Sequence, residues 1–380
     1  MPCIGIDATA IPPNRVGAGN YIFNLVRAIS SVETGDKFIV FAKPEHIAEW
    51  AIDRPNFRFV PAGSRVRGVR MAWEQSLLPL LVRRLGIDVL HSPHYTSPLL
   101  KPASSVVTFC DMIFVLFPHV HTRVKRTFFP RIMRHSARTA DVIVTISKST
   151  ADDLTRLWPE VAGPAKVRAI PLAAAPWLRP VADVDEIDAV CSQHGVARNA
   201  YILYVGVLEP RKNLVTLLHA YRSLLDRGAA EKLVMAGRPG WGYGDVYAAA
   251  RSLGLSDMVV FTGYVPDRSL PALYSGAAVF AYPSLYEGFG LPVLEAMSCG
   301  TPVVTSNVSS MAEIAGDAAR LADPRSADSL ASALQDVLSD RDLRGRLRER
   351  GLARAREFSW ERTARETCEV YREAARASHG

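Results

Sequence analysis

The chain has 380 residues, of which 48% are hydrophobic and 22% are charged, and its formal net charge at neutral pH is +7. This length exceeds what one compact core usually holds, so we expect two domains, and the composition excludes a disordered or fibrous chain. No apolar run approaches the ~18–20 residues of a membrane span, and the start MPCIGIDATA lacks the features of a signal peptide, so we expect a cytoplasmic protein.

Short apolar strands alternate with helical stretches, which is the signature of a parallel α/β sheet. In the first half the pattern predicts strands near 3–8, 38–41, 57–60, 89–91, 106–109, 142–146 and 167–170. Helices are predicted between them near 19–30, 68–85, 122–137 and 148–158. A weaker stretch with several Pro and Asp residues, 173–199, then indicates a linker with a short helix.

The alternation restarts after this stretch, with strands near 201–205, 232–235, 259–261, 279–281, 302–304 and 319–321. Helices are expected to begin near Asn213, Gly242, Ser269, Leu291 and Met311, and charged helices over 328–356 and 360–377 close the chain. The predicted fold class is α/β, with two doubly wound, Rossmann-like domains that face a cleft. Their predicted bounds are 1–175 and 200–358, with a linker over 176–199.

Gly17 and Gly19 lie between the first predicted strand and the first predicted helix. Glycine at this position lets bare backbone approach a phosphate or an acceptor. A plain tight turn explains a lone GxG nearly as well.

Two zones concentrate positive charge. The first contains Arg65, Arg67, Arg70, Arg83 and Arg84. The second runs from His121 to Arg138 and contains Arg123, Lys125, Arg126, Arg131, Arg134 and Arg138 among Phe128, Phe129, Ile132 and Met133. Such a helix either docks on an anionic membrane surface or packs on its own sheet with a solvated basic face. No nucleic-acid-binding motif accompanies either zone, so nucleic acid is not an expected partner.

Arg211 and Lys212 follow the strand near 201–205 and precede a predicted helix. The helix dipole does not favour basic residues there, so their presence indicates a bound anion. Two cations backed by helix N–H groups can hold a diphosphate and stabilise it as it departs. The alternative is a solvated basic pair in a surface loop. Arg238, after the strand near 232–235, is a further candidate for a phosphate or base contact.

The segment YPSLYEGFGLPVLEAMSCGTP, 282–302, carries the most information about function. Glu287 and two glycines follow an apolar strand, and Pro292 suits the first turn of a helix, in which Glu295 would also lie. Glycine N–H groups and a helix N-terminus favour an anion, whereas carboxylates favour the hydroxyls around it. The inferred ligand is therefore polyhydroxylated and phosphorylated, as a sugar nucleotide is.

Four motifs resemble glycosyltransferase family 4, the retaining group-1 transferases: GAGNY at 17–21, VGVLEPRKN at 205–213, FTGYV at 261–265 and EGFGLPVLE at 287–295. The resemblance extends over nearly the whole chain. It implies the GT-B fold, with the last helix crossing back to the N-terminal domain, and transfer of a hexose from a nucleotide diphosphate sugar to a hydroxyl of a saccharide or lipid-linked acceptor. GDP-mannose is the expected donor, because relatives with GIDA starts often build mannose-containing polysaccharides.

The resemblance also implies roles for particular residues. Glu287 would contact sugar hydroxyls, and Glu295 would contact the ribose. Backbone contacts to the sugar and phosphates would come from Gly288, Phe289, Gly290 and Leu291. Contacts to the base would come from Gly263, Tyr264 and Val265, although Tyr264 is equally suited to a core position.

One position departs from the family pattern. Many relatives carry a His-Asp pair after the strand near 106–109, whereas this chain has Cys110 and Asp111. A cysteine cannot reproduce the donor and acceptor geometry of an imidazole. Either the histidine is dispensable or another residue replaces it. The candidates are Asp111 itself and His91 or His94 on the acceptor side, although a structural role is the commoner fate of a histidine.

No metal or other cofactor is expected, because Arg211 and Lys212 would neutralise the diphosphate. Asp183 and Asp185 resemble a DxD metal motif, but they lie in the predicted linker. Five scattered cysteines without a CxxC pair favour reduced thiols. The alternative functions are a sugar-nucleotide epimerase or phosphorylase on the same fold, and a non-catalytic two-domain sugar-binding protein.

Overall fold

The computed structural model describes residues 1–12, 17–118, 123–163 and 165–377, with the backbone alone at 123–125. The chain divides into two compact units. Unit 1 comprises Met1–Leu172 and Ser359–Gly380, and unit 2 comprises Ala173–Phe358. Each unit is built on one parallel sheet with helices, because its strands are nearly continuous apolar runs that need covering on both faces.

Unit 1 contains seven parallel strands in the order β3-β2-β1-β4-β5-β6-β7. Their bounds are β1 Cys3–Asp7, β2 Lys37–Ala42, β3 Phe57–Pro61, β4 Val89–Ser92, β5 Ser104–Phe109, β6 Val142–Thr145 and β7 Val167–Ala169. The helices are α1 Ala18–Ser31, α2 Pro44–Trp50, α3 Arg67–Arg84, α4 Ile113–Leu116, α5 Arg123–Thr139 and α6 Lys148–Leu157. The seven predicted strands and four predicted helices of this half are confirmed, with ends shifted by a few residues.

A buried ion cluster fastens α3 to this sheet. The Arg70 guanidinium on α3 lies 2.8 Å from the Glu74 carboxylate and 3.8 Å from Asp7 at the end of β1. Thr96, after β4, donates a hydrogen bond of 3.0 Å to Glu74. The same face of α3 packs its apolar residues on the core side chains of β2, so one face of this helix is fixed inward.

Unit 2 contains six parallel strands in the order β10-β9-β8-β11-β12-β13. Their bounds are β8 Tyr201–Val205, β9 Lys232–Ala236, β10 Val259–Gly263, β11 Val279–Tyr282, β12 Val303–Ser306 and β13 Arg320–Ala322. The helices are α7 Val184–Gln193, α8 Leu214–Asp226, α9 Gly244–Ser252, α10 Leu270–Ser275, α11 Leu291–Ser298, α12 Ser309–Ala315, α13 Ala327–Ser339 and α14 Arg341–Arg356. The last helix of the chain, α15 Trp360–Ala377, packs in unit 1 on α1 and β5.

The predicted linker region contains α7, which packs on α10 of unit 2. The Asp183 side chain accepts hydrogen bonds from the backbone N–H groups of Asp185 and Glu186 and so caps the N-terminus of α7. This gives the Asp183 side chain a structural role. None of the helices in the described part of the chain is both long and apolar enough to cross a bilayer.

The strand order reverses once in each sheet, between β1 and β4 in unit 1 and between β8 and β11 in unit 2. In open α/β sheets, the carboxyl ends of the strands that flank such a reversal form a crevice where ligands bind. The candidate residues of unit 2 must therefore be sought where β8 and β11 end.

Candidate active site

Two loops meet at the carboxyl ends of β8 and β11. Arg211 and Lys212 lie in the single 3-10 turn Pro210–Lys212 after β8, and Asn213 then takes a left-handed conformation with φ 60° before α8 begins. Glu287 lies in the loop after β11. Its carbonyl accepts hydrogen bonds of 2.7 and 2.8 Å from the hydroxyls of Ser309 and Ser310 at the start of α12, which holds the loop in place.

The structure brings Arg211, Lys212 and Glu287 into direct contact. The Arg211 Nη1 lies 2.6 Å from Glu287 Oε2, and the Lys212 Nζ lies 2.6 Å from Glu287 Oε1. The other arm of the guanidinium, Nη2, lies 2.7 Å from Glu209 Oε1. Two cations and two carboxylates thus form one network, in which Lys212 and Glu287 are buried.

Two hydroxyls complete the environment of Glu287 Oε1. The Ser284 hydroxyl donates to it over 2.8 Å and the Tyr282 hydroxyl over 3.0 Å. Tyr282 in turn accepts from the Lys212 ammonium over 2.7 Å. Sequence reasoning did not single out Tyr282, Ser284 or Glu209. The polar positions in YPSLYEG directly after an apolar strand were the available signal for the first two.

This network sets the charge states of its members. Burial alone would raise the pKa of Glu287, but Lys212 and Arg211 outweigh it and hold that pKa at about 2. Burial lowers the pKa of Lys212, and the Glu287 carboxylate opposes the shift. Glu287 is therefore an ionised, weakly basic carboxylate whose two oxygens both accept hydrogen bonds, and its charge favours the protonated form of Lys212 against the effect of burial.

Glu295 lies in the second turn of α11, which corrects the prediction of a first-turn position, because a helix that starts at Leu291 completes its first turn at Leu294. The Tyr274 hydroxyl donates a hydrogen bond of 3.0 Å to Glu295 Oε2. Burial raises the pKa of Glu295 to about 7, although the bond from Tyr274 opposes the shift. The two glutamates of the motif thus have opposite electrostatic environments.

The N-terminus of α11 follows directly on Glu287 and Gly288. Gly290 is the N-cap residue of α11 and has φ 95°, a conformation that favours glycine. Because glycine has no side chain, no side-chain oxygen caps the N-terminus of this helix. Leu291 begins the helix, whereas Phe289 is buried and packs edge-on against Phe358 at 5.9 Å between ring centroids. The backbone here suits an anion, and the Phe289 side chain belongs to the core of unit 2.

Arg238 and Tyr264 lie beyond the carboxyl ends of β9 and β10. The Arg238 guanidinium carbon lies 4.4 Å from the centroid of the Tyr264 ring. Tyr264 is 57% exposed, which excludes the core position that the sequence left open. Gly263 before it has φ 67°, and Val265 after it is buried. An exposed ring stacked on a guanidinium offers a flat surface for a base.

Comparisons with known proteins show the family of this chain. Residues 16–176 match the family model described as Glycosyltransferase Family 4, and residues 192–354 match the model described as Glycosyl transferases group 1. O-antigen chain mannosyltransferase B of Escherichia coli is 34% identical over 285 residues, which are 75% of this chain and 74% of that protein. The chain therefore belongs to the group-1 glycosyltransferases of family 4.

Two further comparisons extend this result. The MMP alpha-(1->4)-mannosyltransferase of Mycolicibacterium hassiacum is 33% identical over 252 residues, 65% of this chain and 57% of that protein. The structure of sucrose-phosphate synthase from Thermosynechococcus elongatus superposes with a TM-score of 0.78 at 22% identity and covers 99% of this chain and 100% of that one. The predicted GT-B class of two Rossmann-like domains is confirmed. The protein is a hexosyltransferase, as predicted, rather than a non-catalytic sugar-binding protein.

In unit 1 of the transferase, Gly17 and Gly19 lie at the start of α1. Gly17 has φ 51° and precedes the helix without a side-chain cap. A Cβ on Gly19 would lie 2.7 Å from the Cδ of Pro12, so this glycine allows a close approach of α1 to the preceding loop. Both follow β1, one of the two strands at the reversal, and their contact with a ligand stays a prediction.

His91 has a structural role in the transferase, which corrects its prediction as an acceptor-side residue. It lies within β4 and is fully buried. One ring nitrogen pairs with the Tyr371 hydroxyl of α15 at 2.7 Å and the other with the Thr108 hydroxyl of β5 at 2.8 Å. Burial lowers its pKa to about 3, so it stays neutral and ties α15 to the sheet.

His94 and Asp111 remain at loop positions in unit 1. His94 is half-buried in the loop after β4, and burial, Arg70 and Arg67 lower its pKa to about 4, so it is neutral at physiological pH. Asp111 follows β5, and its Oδ1 accepts a hydrogen bond of 3.1 Å from the Ile113 N–H at the start of α4. His94 stays a candidate for the acceptor side, and Asp111 stays a candidate catalytic residue.

Cys110 should not act as a nucleophile in the transferase. It is buried at the end of β5, and burial together with Asp111 raises the pKa of its thiol, which suppresses the thiolate. Cys110→Ser should therefore lose much less than the ~10²-fold in kcat that removal of a general acid or base costs. Steady-state kinetics beside Cys110→His would check this. A Cys110→Ser enzyme as inactive as a Glu287 variant would place the chemistry at Cys110.

Proposed function

We propose that this glycosyltransferase moves mannose from GDP-mannose to a hydroxyl of a saccharide or lipid-linked acceptor in glycan biosynthesis, with retention of configuration. The choice of mannose is supported by the two mannosyltransferases to which the chain is similar. The choice of a diphosphate donor is supported by one observation above all, the contact of Arg211, Lys212 and Glu287 at the strand reversal of unit 2.

In this proposal Arg211 and Lys212 hold the diphosphate. Arginine carries five N–H donors and lysine three, so each has donors beyond the contacts it makes to protein groups. The backbone of Gly288 to Leu291 at the start of α11 adds N–H groups to the same anion. Arg238 and Tyr264 offer the stacking surface for the base, and Glu295 accepts from the ribose hydroxyls.

Retention is proposed from the resemblance to the retaining group-1 transferases, and the state of Glu287 bears on how retention would be achieved. A double displacement needs a free carboxylate to attack the sugar carbon, but both oxygens of Glu287 are engaged by neighbouring donors. In a front-face reaction, the bond from the sugar C1 to the phosphate oxygen breaks while the acceptor oxygen bonds to C1 on the same face. The acceptor proton passes to the departing phosphate oxygen, so no protein nucleophile is needed.

Transfer is expected to be independent of divalent metal ions, because two side-chain cations and a helix N-terminus already serve the departing charge. Initial rates measured in excess chelator should match those in untreated buffer. Complete loss of turnover that only a divalent ion restores would contradict this expectation.

Nucleotide affinity should depend on the charge of Glu295. With a carboxyl pKa of about 7, Glu295 is ionised above neutrality and accepts ribose hydroxyls well, whereas its protonated form accepts them poorly. Lowering the pH from 8 to 6 should weaken GDP binding by up to about tenfold through this group. GDP binding to wild type and to Glu295→Gln should be measured by calorimetry at each pH. Ionisation of GDP itself affects both proteins equally, so the ratio of their affinities isolates the effect of Glu295. A wild-type to variant affinity ratio that does not change with pH would contradict the assignment.

The proposed function is tested by incubating the protein with GDP-mannose, UDP-glucose, ADP-glucose and TDP-glucose in the presence of a lipid extract. Transfer of label to the acceptor fraction from GDP-mannose is the expected result. An epimerised sugar nucleotide with no acceptor product would instead support the epimerase alternative. Transfer from another of the four donors would show that GDP-mannose is not the donor.

A further inference from the structure

Helix α3 exposes an apolar face on the outside of unit 1. Val69, Leu77 and Leu80 on this helix are 55%, 53% and 61% exposed, and Val66 at its N-cap is 63% exposed. On the surface of a typical globular domain, exposed apolar side chains are usually scattered singly. Here four of them share one helix, so they form a surface rather than scattered exceptions.

Helical geometry places these four side chains on one stripe. Val66 and Val69 are three residues apart, as are Leu77 and Leu80, and the two pairs are offset by eleven residues. Eleven residues are three turns to within about 20°, so both pairs point the same way along a helix about 27 Å long. Trp73 lies between the pairs, half-buried against Phe41 of the core.

Basic residues flank both ends of this stripe. Arg65 and Arg67 are exposed at its N-terminal end, and Arg83 and Arg84 are exposed at its C-terminal end. Arg65 is paired with Glu45 at 3.3 Å across the surface. The acid within α3 itself, Glu74, is buried in the ion cluster with Arg70, so the exposed ends of the helix carry positive charge.

The loop after β4 exposes two further leucines. Leu99 and Leu100 are 51% and 75% exposed. Gln75 of α3 holds this loop in place, because its side chain accepts from the Leu99 N–H at 2.8 Å and donates to the Ser97 carbonyl at 3.3 Å. Gln75 lies about 180° around the helix from Val66, so this loop is held on a different side of α3 from the stripe.

Helix α5, for which the sequence left membrane docking open, uses its apolar residues differently. Phe129 and Met133 are buried in unit 1, and Ile132 is half-buried. His121 and Thr122 lie outside the described residues, as do the side chains of Arg123 and Lys125. The apolar side of α5 therefore packs inward, and Phe128 is the member of its aromatic pair that is exposed.

We propose that the outward stripe of α3 docks on the surface of a bilayer that contains anionic lipid. An apolar stripe with basic ends suits the boundary between acyl chains and anionic headgroups. A second copy of the chain is a poorer occupant, because pairing two such faces would bring arginines of the same sign together. The docking does not depend on the donor proposed above.

Flotation with phosphatidylcholine vesicles, with and without phosphatidylglycerol, tests this docking. Wild-type protein should float with the anionic vesicles and less so as salt increases. Leu77→Ser/Leu80→Ser should reduce the partition coefficient at least tenfold, and Arg83→Gln/Arg84→Gln should reduce it by about fivefold for each arginine removed. The matched control is Trp177→Ser/Val184→Ser, which removes two exposed apolar side chains of unit 2 and should leave flotation unchanged.

Several results would overturn the proposal. Wild-type protein that ignores anionic vesicles would do so, as would flotation of Leu77→Ser/Leu80→Ser equal to wild type at an equal melting temperature. If the protein bound neutral and anionic vesicles equally and Arg83→Gln/Arg84→Gln did not change the binding, anionic lipid would not be required for docking. A dimer in lipid-free solution that Leu77→Ser/Leu80→Ser dissociates would assign the face to a second copy instead.

Discussion

Lys212→Ala is expected to lower kcat by ~10²–10³, the usual cost of losing one preorganised donor to charge that develops in the transition state. The Lys212 Nζ is held by hydrogen bonds to Glu287 and Tyr282, so it needs no rearrangement as the diphosphate departs. Arg211→Ala should cost a similar factor. The double variant should cost less than the product of the two, because both cations serve one diphosphate and share Glu287.

Steady-state kinetics with GDP-mannose, beside melting temperatures, would measure these effects. Arg222→Ala is a matched control, because Arg222 pairs with Asp226 on the surface of the same unit and should not affect turnover. Arg211→Lys keeps the charge but loses the two-armed contact to Glu209 and Glu287, so it should recover little activity. A folded Lys212→Ala enzyme with unchanged kcat would remove Lys212 from the site.

Glu287→Gln is expected to lower kcat by about 10² or more while GDP still binds nearly as well as before. The amide keeps the size of the carboxylate but loses its charge-assisted bonds to Lys212 and Arg211. The two cations remain for the diphosphate, so the loss should appear in turnover rather than in nucleotide affinity. Calorimetric GDP binding beside steady-state kinetics would separate the two quantities.

The pH profile gives this prediction a second readout. The Glu287 carboxylate opposes the lowering of the Lys212 pKa by burial, so its removal should lower that pKa further. Activity of Glu287→Gln should then fall as the pH rises and Lys212 loses its proton, whereas wild type should not show this loss over the same range. Ser284→Ala, which removes one hydrogen bond to Glu287 but no charge, is the control and should keep the wild-type profile. Loss of GDP binding in Glu287→Gln, with turnover intact in Lys212→Ala, would contradict the site.

Much of the fold could be predicted from the sequence, because the buried strands are short apolar runs and the stretches between them repeat apolar residues at the spacing of an α-helix. Helix α2 was missed, since seven residues starting at Pro44 are too few to show a periodic pattern. The segment 173–199 was expected to be a linker with a short helix, and α7 confirms the helix. Its packing on α10 is a tertiary contact that composition does not reveal.

The candidate site was predicted in its location and not in its internal contacts. Motifs after β8 and β11 place Arg211 and Glu287 at neighbouring strand ends, because the carboxyl ends of parallel strands share one edge of the sheet. That the carboxylate pairs with both cations depends on side-chain directions that spacing does not encode. The enclosure of His91 between β5 and α15 likewise joins residues 280 positions apart, His91 and Tyr371.

The configuration of the transferred sugar tests the central claim most directly. Product formed from GDP-mannose, in which the sugar is α-linked, would be analysed by the carbon–proton coupling at C1 in the NMR spectrum. Retention by front-face transfer, with Glu287 held by Lys212 and Arg211, predicts an α-mannoside and free GDP. A β-mannoside, or no mannosyl product from a folded enzyme that transfers from another nucleotide sugar, would contradict the account.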